Sequence, residues 1–368
     1  MSFSILGLGT AVPPTRVTQE EAAGIARSLC CRTAEQQTWL PLMYQHTGIH
    51  TRHLALDRQV VEDVLHGTSY SQSLFLPTGR DDDRGPTTGI RMRIYAARSG
   101  PLAVRAASQA LHAARLSASA ITHLVTVSCT GMAAPGVDYE LIQGLGLAPT
   151  VQRTHIGFMG CHGAINGLRV AQAFTDSQPQ ARVLLCAVEL CVLHYFYGWD
   201  PQKVIANAIF ADGAAAVIGV AEGQAPANSW RVTATGSCLI PDSREAMSWT
   251  IGDHGFEMTL SKRVPGLIRE HLRPWLESWL AQHGLRRELI GSWAIHPGGP
   301  RILEAAAEAL ELGDEQLTAA REVFAEHGNM SSPTVLFIIG HLREKRAPLP
   351  CVALAFGPGL IAESALIE

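Results

Sequence analysis

This 368-residue chain has no run of basic residues, no paired Cys-x-x-Cys spacing and no long apolar stretch. Each absence closes off a class of function. Lys and Arg total 29 against 33 Asp and Glu, a formal net charge of -4, with both signs spread along the sequence. Nucleic acid or anionic lipid as a partner asks for a basic block, so neither is expected. Cys30, Cys31, Cys129, Cys161, Cys186, Cys191, Cys238 and Cys351 are scattered, which argues against a zinc framework and a disulfide scaffold. No segment reaches the roughly 18 apolar residues of a membrane helix. Met1-Ser2-Phe3-Ser4-Ile5 runs into an apolar strand without a charged leader. A cytoplasmic protein with no integral membrane segment is expected.

What is present is a large supply of core residues, 47% hydrophobic, enough for about two domains. Phe3 to Gly9 reads as a buried strand, and Thr18 with Glu21 as a capping box for the next helix. Residues 66–89 are polar and rich in Gly, Ser, Asp and Pro, with Asp81-Asp82-Asp83-Arg84-Gly85-Pro86 the most loop-like part, where mobility is expected. Ser99 and Pro101 then open a helix over Leu102–Arg115. Leu124–Ser128, Ala181–Val188 and Ala214–Val220 read as buried strands, apolar throughout in the manner of parallel sheets. Past Gly223-Gln224-Ala225-Pro226 the rhythm repeats. Strands are expected at Trp230–Ile240, Leu289–Ile295, Cys351–Phe356 and Ile361–Ile367. Helices are expected at Val264–His283, Arg301–Leu312, Glu315–His327 and Pro333–Arg343. Strands alternating with helices give an α/β class with layered, mainly parallel buried sheets. The division falls into halves 1–223 and 224–368.

Three stretches sit where a strand stops or a helix starts, the usual position of α/β active sites. They are Gly160-Cys161-His162, His296-Pro297-Gly298-Gly299-Pro300, and Gly328-Asn329-Met330-Ser331-Ser332. A thiol at a helix start faces unpaired N–H groups and the positive end of the dipole, which favours thiolate. Together the stretches offer a nucleophile, a titratable base and a neutral donor, the set that acyl transfer through a thioester needs. His296 could pair with the thiolate, and its N–H with the Asn329 amide could hold an oxyanion. Spacing alone leaves the bland alternatives open: a structural cysteine, a locally satisfied histidine, and an asparagine that only caps a helix.

Gly160-Cys161, Ile295-His296-Pro297-Gly298-Gly299-Pro300, Gly328-Asn329-Met330-Ser331-Ser332 and Phe356-Gly357-Pro358-Gly359 occur in the order found in type III polyketide synthases. Ile209-Phe210-Ala211-Asp212-Gly213 and Leu260-Ser261-Lys262-Arg263-Val264-Pro265-Gly266 match as well. The chain resembles that family, the chalcone and stilbene synthases, along its whole length except about residues 60–90. The resemblance implies a thiolase fold of two pseudo-repeated halves and a homodimer. It implies acylation of Cys161 by an acyl-CoA starter, with His296 and Asn329 acting on malonyl-CoA, and no metal or redox cofactor.

Phe210 falls at a gatekeeper position between CoA tunnel and cavity. Pocket positions fall on Cys129, Thr130, His194, Trp249, Met258 and Ser331. A partner-reaching Met of the plant enzymes falls on Ala134. Lys262, Arg52, Gly298 and Gly299 fall where CoA is held. The Cys129 and Trp249 positions look more like the bacterial alkylpyrone and alkylresorcinol branch, which implies an aliphatic starter and a pyrone or resorcinol-type phenolic product. A ketoacyl synthase III-like condensing enzyme is the alternative, disfavoured because its His and Asn stretches differ. A thiol protease lacks its local signature here, and a silent partner subunit would have lost the nucleophile.

Overall fold

Nine strands form one sheet in the computed structural model, which describes residues 2–368. From one edge the order is Ser292–Ile295, Cys351–Gly357, Ile361–Ile367, Arg231–Leu239, Phe3–Ala11, Asp212–Ala221, Arg182–Leu190, His123–Ser128 and Gln152–Gly157. The first four strands come from the C-terminal half and the other five from the N-terminal half. They join where Phe3 and Ser4 pair with Val232 and Arg231, with Ile5 N donating to Trp230 O.

Two buried helices, Gly163–Ser177 and Pro333–Glu344, touch strands of both groups. Helices therefore lie between the two groups of strands, and further helices lie outside them. This is the layered α/β architecture expected of the thiolase fold. On the outer side of the N-terminal strands, Thr88–Ala114 lies against Phe3–Ala11. Gly9 permits that approach, because a Cβ there would sit 2.3 Å from the Ala106 carbonyl oxygen. Among the described residues, no helix is long and apolar enough to cross a membrane.

Local chemistry explains several elements. Thr18 accepts from Glu21 N and Glu21 reaches back to Thr18 N, so the capping box forms at the start of Gln19–Cys30. Two expectations change. The helix read from Leu102 begins at Thr88, with Pro101 in its interior. Pro101 marks no helix start, because the preceding turns are anchored by the buried Arg91 guanidinium rather than by a cap. The polar stretch after His66 is irregular as read, and its first residues bond to one buried carboxylate. Asp63 accepts from Thr68 Oγ1 (2.5 Å), Tyr70 N (3.0 Å) and Ser71 N (2.6 Å). Parallel pairing holds for His123–Ser128 with both its neighbours and for Ser292–Ile295 with Cys351–Gly357. The other pairings, including Arg182–Leu190 with Asp212–Ala221, are antiparallel. A continuous apolar run reports burial on both faces, not the direction of the neighbouring strand.

Two small sheets complete the fold. Thr15–Thr18 pairs with Thr51–Leu54, and Met247–Gly252 pairs with Gly255–Leu260 as a hairpin.

Candidate active site

A sharp strand-to-helix turn presents Cys161. The strand Gln152–Gly157 ends, Phe158 and Gly160 take positive φ (61° and 76°), and Gly160–His162 makes one tight turn before helix Gly163–Ser177. Gly160 is required twice over, by its φ and by Pro358, whose Cδ would lie 2.4 Å from an added Cβ. Cys161 is buried at the end of this turn, and its thiol points at Asn329 Oδ1, 4.0 Å away.

Asn329 sits in the link between helices Asp314–His327 and Pro333–Glu344. Its backbone is zipped to the chain around Phe210: its N–H donates to Ile209 O (2.8 Å) and its carbonyl accepts from Ala211 N (2.9 Å). Its Oδ1 accepts from Ser331 N (2.8 Å), and its Nδ2 donates to Gly298 O (3.5 Å). Gly298 is two residues past His296, which follows the strand Ser292–Ile295 and whose N–H donates to Leu354 O. The three stretches singled out in the sequence thus converge. His296 is 1% exposed, yet neither ring nitrogen has a partner. A buried imidazole with neither nitrogen bonded is rare enough to call for a reason.

The electrostatics differ from the expectation of a thiolate. The Cys161 thiol is pushed up to about 11, by burial above all and by Glu189, with Ser331 and Asn329 pulling it down only in part. Burial, with the neighbouring His162, lowers His296 to about 3. At neutral pH the site therefore holds a neutral thiol and a neutral imidazole. Glu189 is the largest polar feature the sequence reading missed. It is fully buried, accepting from Cys129 N (2.9 Å), Thr130 Oγ1 (2.7 Å) and Ser332 Oγ (2.7 Å). Its one signal was a lone carboxylate in an otherwise apolar strand.

An inner cavity of about 30 Å³ adjoins Cys161, with Cys129, Thr130, Ser331, Phe210, Trp249 and Met258 around it. Beyond it lies an outer cavity of about 530 Å³. Phe210, Trp249, Met258 and Cys191 border both, so they stand between the thiol and the larger space. His194 lines the outer cavity as a clamp. Its Nε2 donates to Thr130 O (2.6 Å), its Nδ1 accepts from Phe256 N (2.9 Å), and its ring stacks on Phe256. Trp249 Nε1 donates to Cys129 O (2.7 Å). Arg84 and Lys203, which the sequence reading did not single out, add cations to the outer cavity, facing Asp253 and Glu257.

The CoA candidates separate. Arg52 does not fit that role: it is 2% exposed. Its Nη1 donates to Asn207 O and Phe210 O, and its Nη2 to Gln19 Oε1 and Ala208 O. With those four donors engaged inside the fold it anchors the Phe210 segment and offers no charge at an opening. Lys262 is exposed on the turn before helix Val264–Gln282, outside both cavities. Gly298 and Gly299 lie between His296 and the start of helix Pro300–Leu310.

Comparison with known proteins follows this geometry. Residues 2–223 match the family model "Chalcone and stilbene synthases, N-terminal domain", and residues 231–368 match its C-terminal counterpart. The chain is 34% identical to a 1,3,6,8-tetrahydroxynaphthalene synthase of Streptomyces peucetius subsp. caesius, over 99% of this chain and 93% of that protein. It is 31% identical to the α-pyrone synthesis polyketide synthase-like Pks18 of Mycobacterium tuberculosis, over 99% of this chain and 90% of that protein. Among solved structures, PKS-I from the brown alga Ectocarpus siliculosus superposes with a TM-score of 0.89. That match has 29% identity and covers 100% of this chain and 99% of the other.

Proposed function

Because the chain belongs to the chalcone and stilbene synthase family and is a type III polyketide synthase, an acyltransferase of the condensing kind, we propose that Cys161 is the residue that carries the growing acyl chain. Its sulfur attacks the starter acyl-CoA, and its proton leaves with the CoA thiol. His296 and Asn329 then hold the malonyl thioester carbonyl as the carboxylate departs as carbon dioxide. The resulting carbanion attacks the Cys161 thioester, the Cys161 sulfur leaves, and the chain is two carbons longer. The observation that carries this assignment is a thiol aimed at Asn329, whose Nδ2 bonds the Gly298 carbonyl two residues past an unpartnered, buried His296. Two aimed donors at a developing oxyanion account for about 10²-fold or more in rate each. The steps call for no metal and no redox cofactor, because CoA is the only carrier.

The starter in this reading is an aliphatic acyl-CoA, and the product a pyrone or resorcinol-type phenol. The volume of the outer cavity past Phe210 and Met258 leaves room for such a starter, and the α-pyrone named for the Mycobacterium relative supports the product class. Lys262 is the remaining side-chain candidate for a CoA phosphate contact. A homodimer belongs to the reading too. Strand Gln152–Gly157 ends the sheet with one free edge, and Met132, Tyr139 and Met159 are exposed.

The test is incubation of the enzyme with malonyl-CoA and acyl-CoAs from C2 to C18, alongside cinnamoyl-type starters, with products weighed by mass spectrometry. C8–C18 starters are expected to be extended. If cinnamoyl-type starters are used best and C8–C18 give nothing, the aliphatic assignment fails. Cys161→Ala is expected to lower condensation by about 10³-fold or more, while slow malonyl-CoA decarboxylation persists.

A further inference from the structure

Arg91 is a buried cation without a counter-ion. It is 0% exposed, in the first turn of helix Thr88–Ala114. Its guanidinium donates only to backbone carbonyls: Nε to Pro86 O (2.8 Å), Nη1 to Leu193 O and to Tyr195 O (3.1 Å), and Nη2 to Arg84 O (3.4 Å). Among the described residues no carboxylate pairs with it. Asp83, next to Arg84 in sequence, accepts from Thr78 N (2.7 Å) and Gly85 N (2.9 Å) instead. Arg52, buried likewise, has Asp212 close enough to favour its charge. Burial lowers the pKa of Arg91 to about 10, with only the Tyr197 hydroxyl working against that, so Arg91 is charged at neutral pH. Buried charges are ordinarily paired, because desolvation without a partner is costly.

The charge lies one layer behind the outer cavity. Tyr195, one of its acceptors, lines that cavity, and so does Tyr197, whose ring centroid is 6.0 Å from the guanidinium carbon. A Cβ on Gly255, between the lining residues His254 and Phe256, would sit 3.2 Å from the same carbon. The charges on the cavity surface cancel in number. Lys203 pairs with Glu257 (2.5 Å), Arg84 is matched by Asp253, and His194 is neutral. His254 Nδ1 is bonded to Gly85 O (2.9 Å). Arg91 is the charge left over.

We propose that Arg91 biases the outer cavity toward an anion, and that this anion is the enolate of the β-keto chain growing from Cys161. The proposal rests on the reading that Cys161 holds such a chain. After two extensions the chain has methylenes flanked by two carbonyls, and these are acidic. The one farther from sulfur gives up a proton to solvent, and its charge spreads over the flanking oxygens. To close a pyrone, an enolate oxygen forms a C–O bond to the thioester carbon. The C–S bond breaks, and the Cys161 sulfur takes up a proton from solvent. A cation about 8 Å away, at an effective dielectric near 20, favours such an anion about tenfold to thirtyfold. Standing behind the wall, it does so without pinning the chain that has to fold on itself.

The acidity of a bound β-diketone tests this without turnover. 1-Phenyl-1,3-butanedione is titrated by its ultraviolet absorbance between pH 6 and 9.5, free and with saturating enzyme. The wild type is expected to lower its pKa by about one unit or more. The shift should be equal at 0.05 and 1 M salt, because a buried charge escapes the screening that exposed Arg84 and Lys203 undergo. That comparison needs no variant. Arg91→Gln keeps an amide donor, removes the charge and should abolish the shift, whereas Arg91→Lys should keep most of it. A purely structural role would change how much probe binds but not the pKa of the bound probe, and misfolded protein drops out of the measurement. A wild type that does not bind the probe, leaves its pKa unmoved or loses the shift at high salt overturns the proposal. So does an Arg91→Gln enzyme that keeps the shift. If the enzyme shifts the probe but consumes no malonyl-CoA with any acyl-CoA, the reading of Cys161 fails and the enolate assignment with it, while the bias toward anions stands.

Discussion

Burial dominates the acid–base state of Cys161. A helix start contributes about 0.3–1 kcal/mol toward an anion, which is less than one pKa unit. Full burial of a thiol contributes several units in the other direction, and Glu189 adds like-charge repulsion from the same side. The empty enzyme should therefore be alkylated slowly by iodoacetamide at neutral pH, and faster as pH rises from 8 to 10. Glu189→Gln removes the repelling charge, so the alkylation profile should move to lower pH. The same change turns an amide donor toward buried donors, at about 1–3 kcal/mol of stability. An unmoved profile would mean that the Glu189 charge is not felt at Cys161. Cys161, His296 and Asn329 were legible in the sequence because each stands at a strand or helix end beside Gly or Pro. Glu189 and Arg52 were not, since what a buried charge does depends on partners far away in sequence. Arg52 reaches carbonyls more than 150 positions on, and no local pattern records that.

The hairpin Met247–Gly252 and Gly255–Leu260 carries Trp249 and Met258, two of the side chains between thiol and outer cavity. An isolated two-stranded hairpin is marginal in water, so its position depends on staples. Lys203 pairs with Glu257 (2.5 Å), Thr88 Oγ1 accepts from Gly255 N (2.8 Å), Trp249 bonds Cys129 O, and His194 bonds both Thr130 O and Phe256 N. His194 does this only as the neutral Nε2–H tautomer, and burial holds its pKa down near 3. His194→Leu keeps the bulk and leaves Phe256 N–H and Thr130 O unpaired. That should cost about 2–4 kcal/mol in urea unfolding and broaden the range of starter lengths accepted. A variant within about 0.5 kcal/mol of wild type, the scatter of ordinary surface changes, would show that the hairpin does not depend on His194. Strands buried on both faces were visible as apolar runs. The hairpin was not, because its six-residue strands are half exposed and its place is fixed by contacts from distant elements. Helix Thr88–Ala114 was half visible for the same reason: Ala and Leu mark its later turns, whereas Arg91 buries the first by bonding backbone carbonyls.

At the scale of the whole molecule, the core encloses titratable groups that stay neutral, and their signs set how stability varies with pH. His194 and His296 have folded pKa values near 3 against 6.5 in an open chain. Their contribution is present above 6.5 and is lost as pH falls, by up to about 1.4 kcal/mol per group per pH unit. Asp212, raised to about 7 by burial despite accepting from Val192 N and Ala55 N, works in the opposite sense between about pH 4 and 7. Burial raises Glu189 as well, in the same sense as Asp212, but it also lowers His123, His155, His162 and His327, so six histidines against two carboxyls leave a net loss toward acid. On the alkaline side Cys161 is raised to about 11, and Cys30, Cys186 and Cys351 to about 12, from 9.0. Above pH 9 the unfolded chain gives up these protons while the folded chain keeps them, so stability falls again. Urea unfolding between pH 4 and 10.5 should therefore show a plateau from about pH 7 to 8.5 and losses on both sides. The plateau should stand above the sequence pI of about 6.4, because buried groups decide it rather than net charge. A maximum at pH 5, or stability still rising at pH 10, would contradict the neutral burial of the histidines or of the thiols respectively.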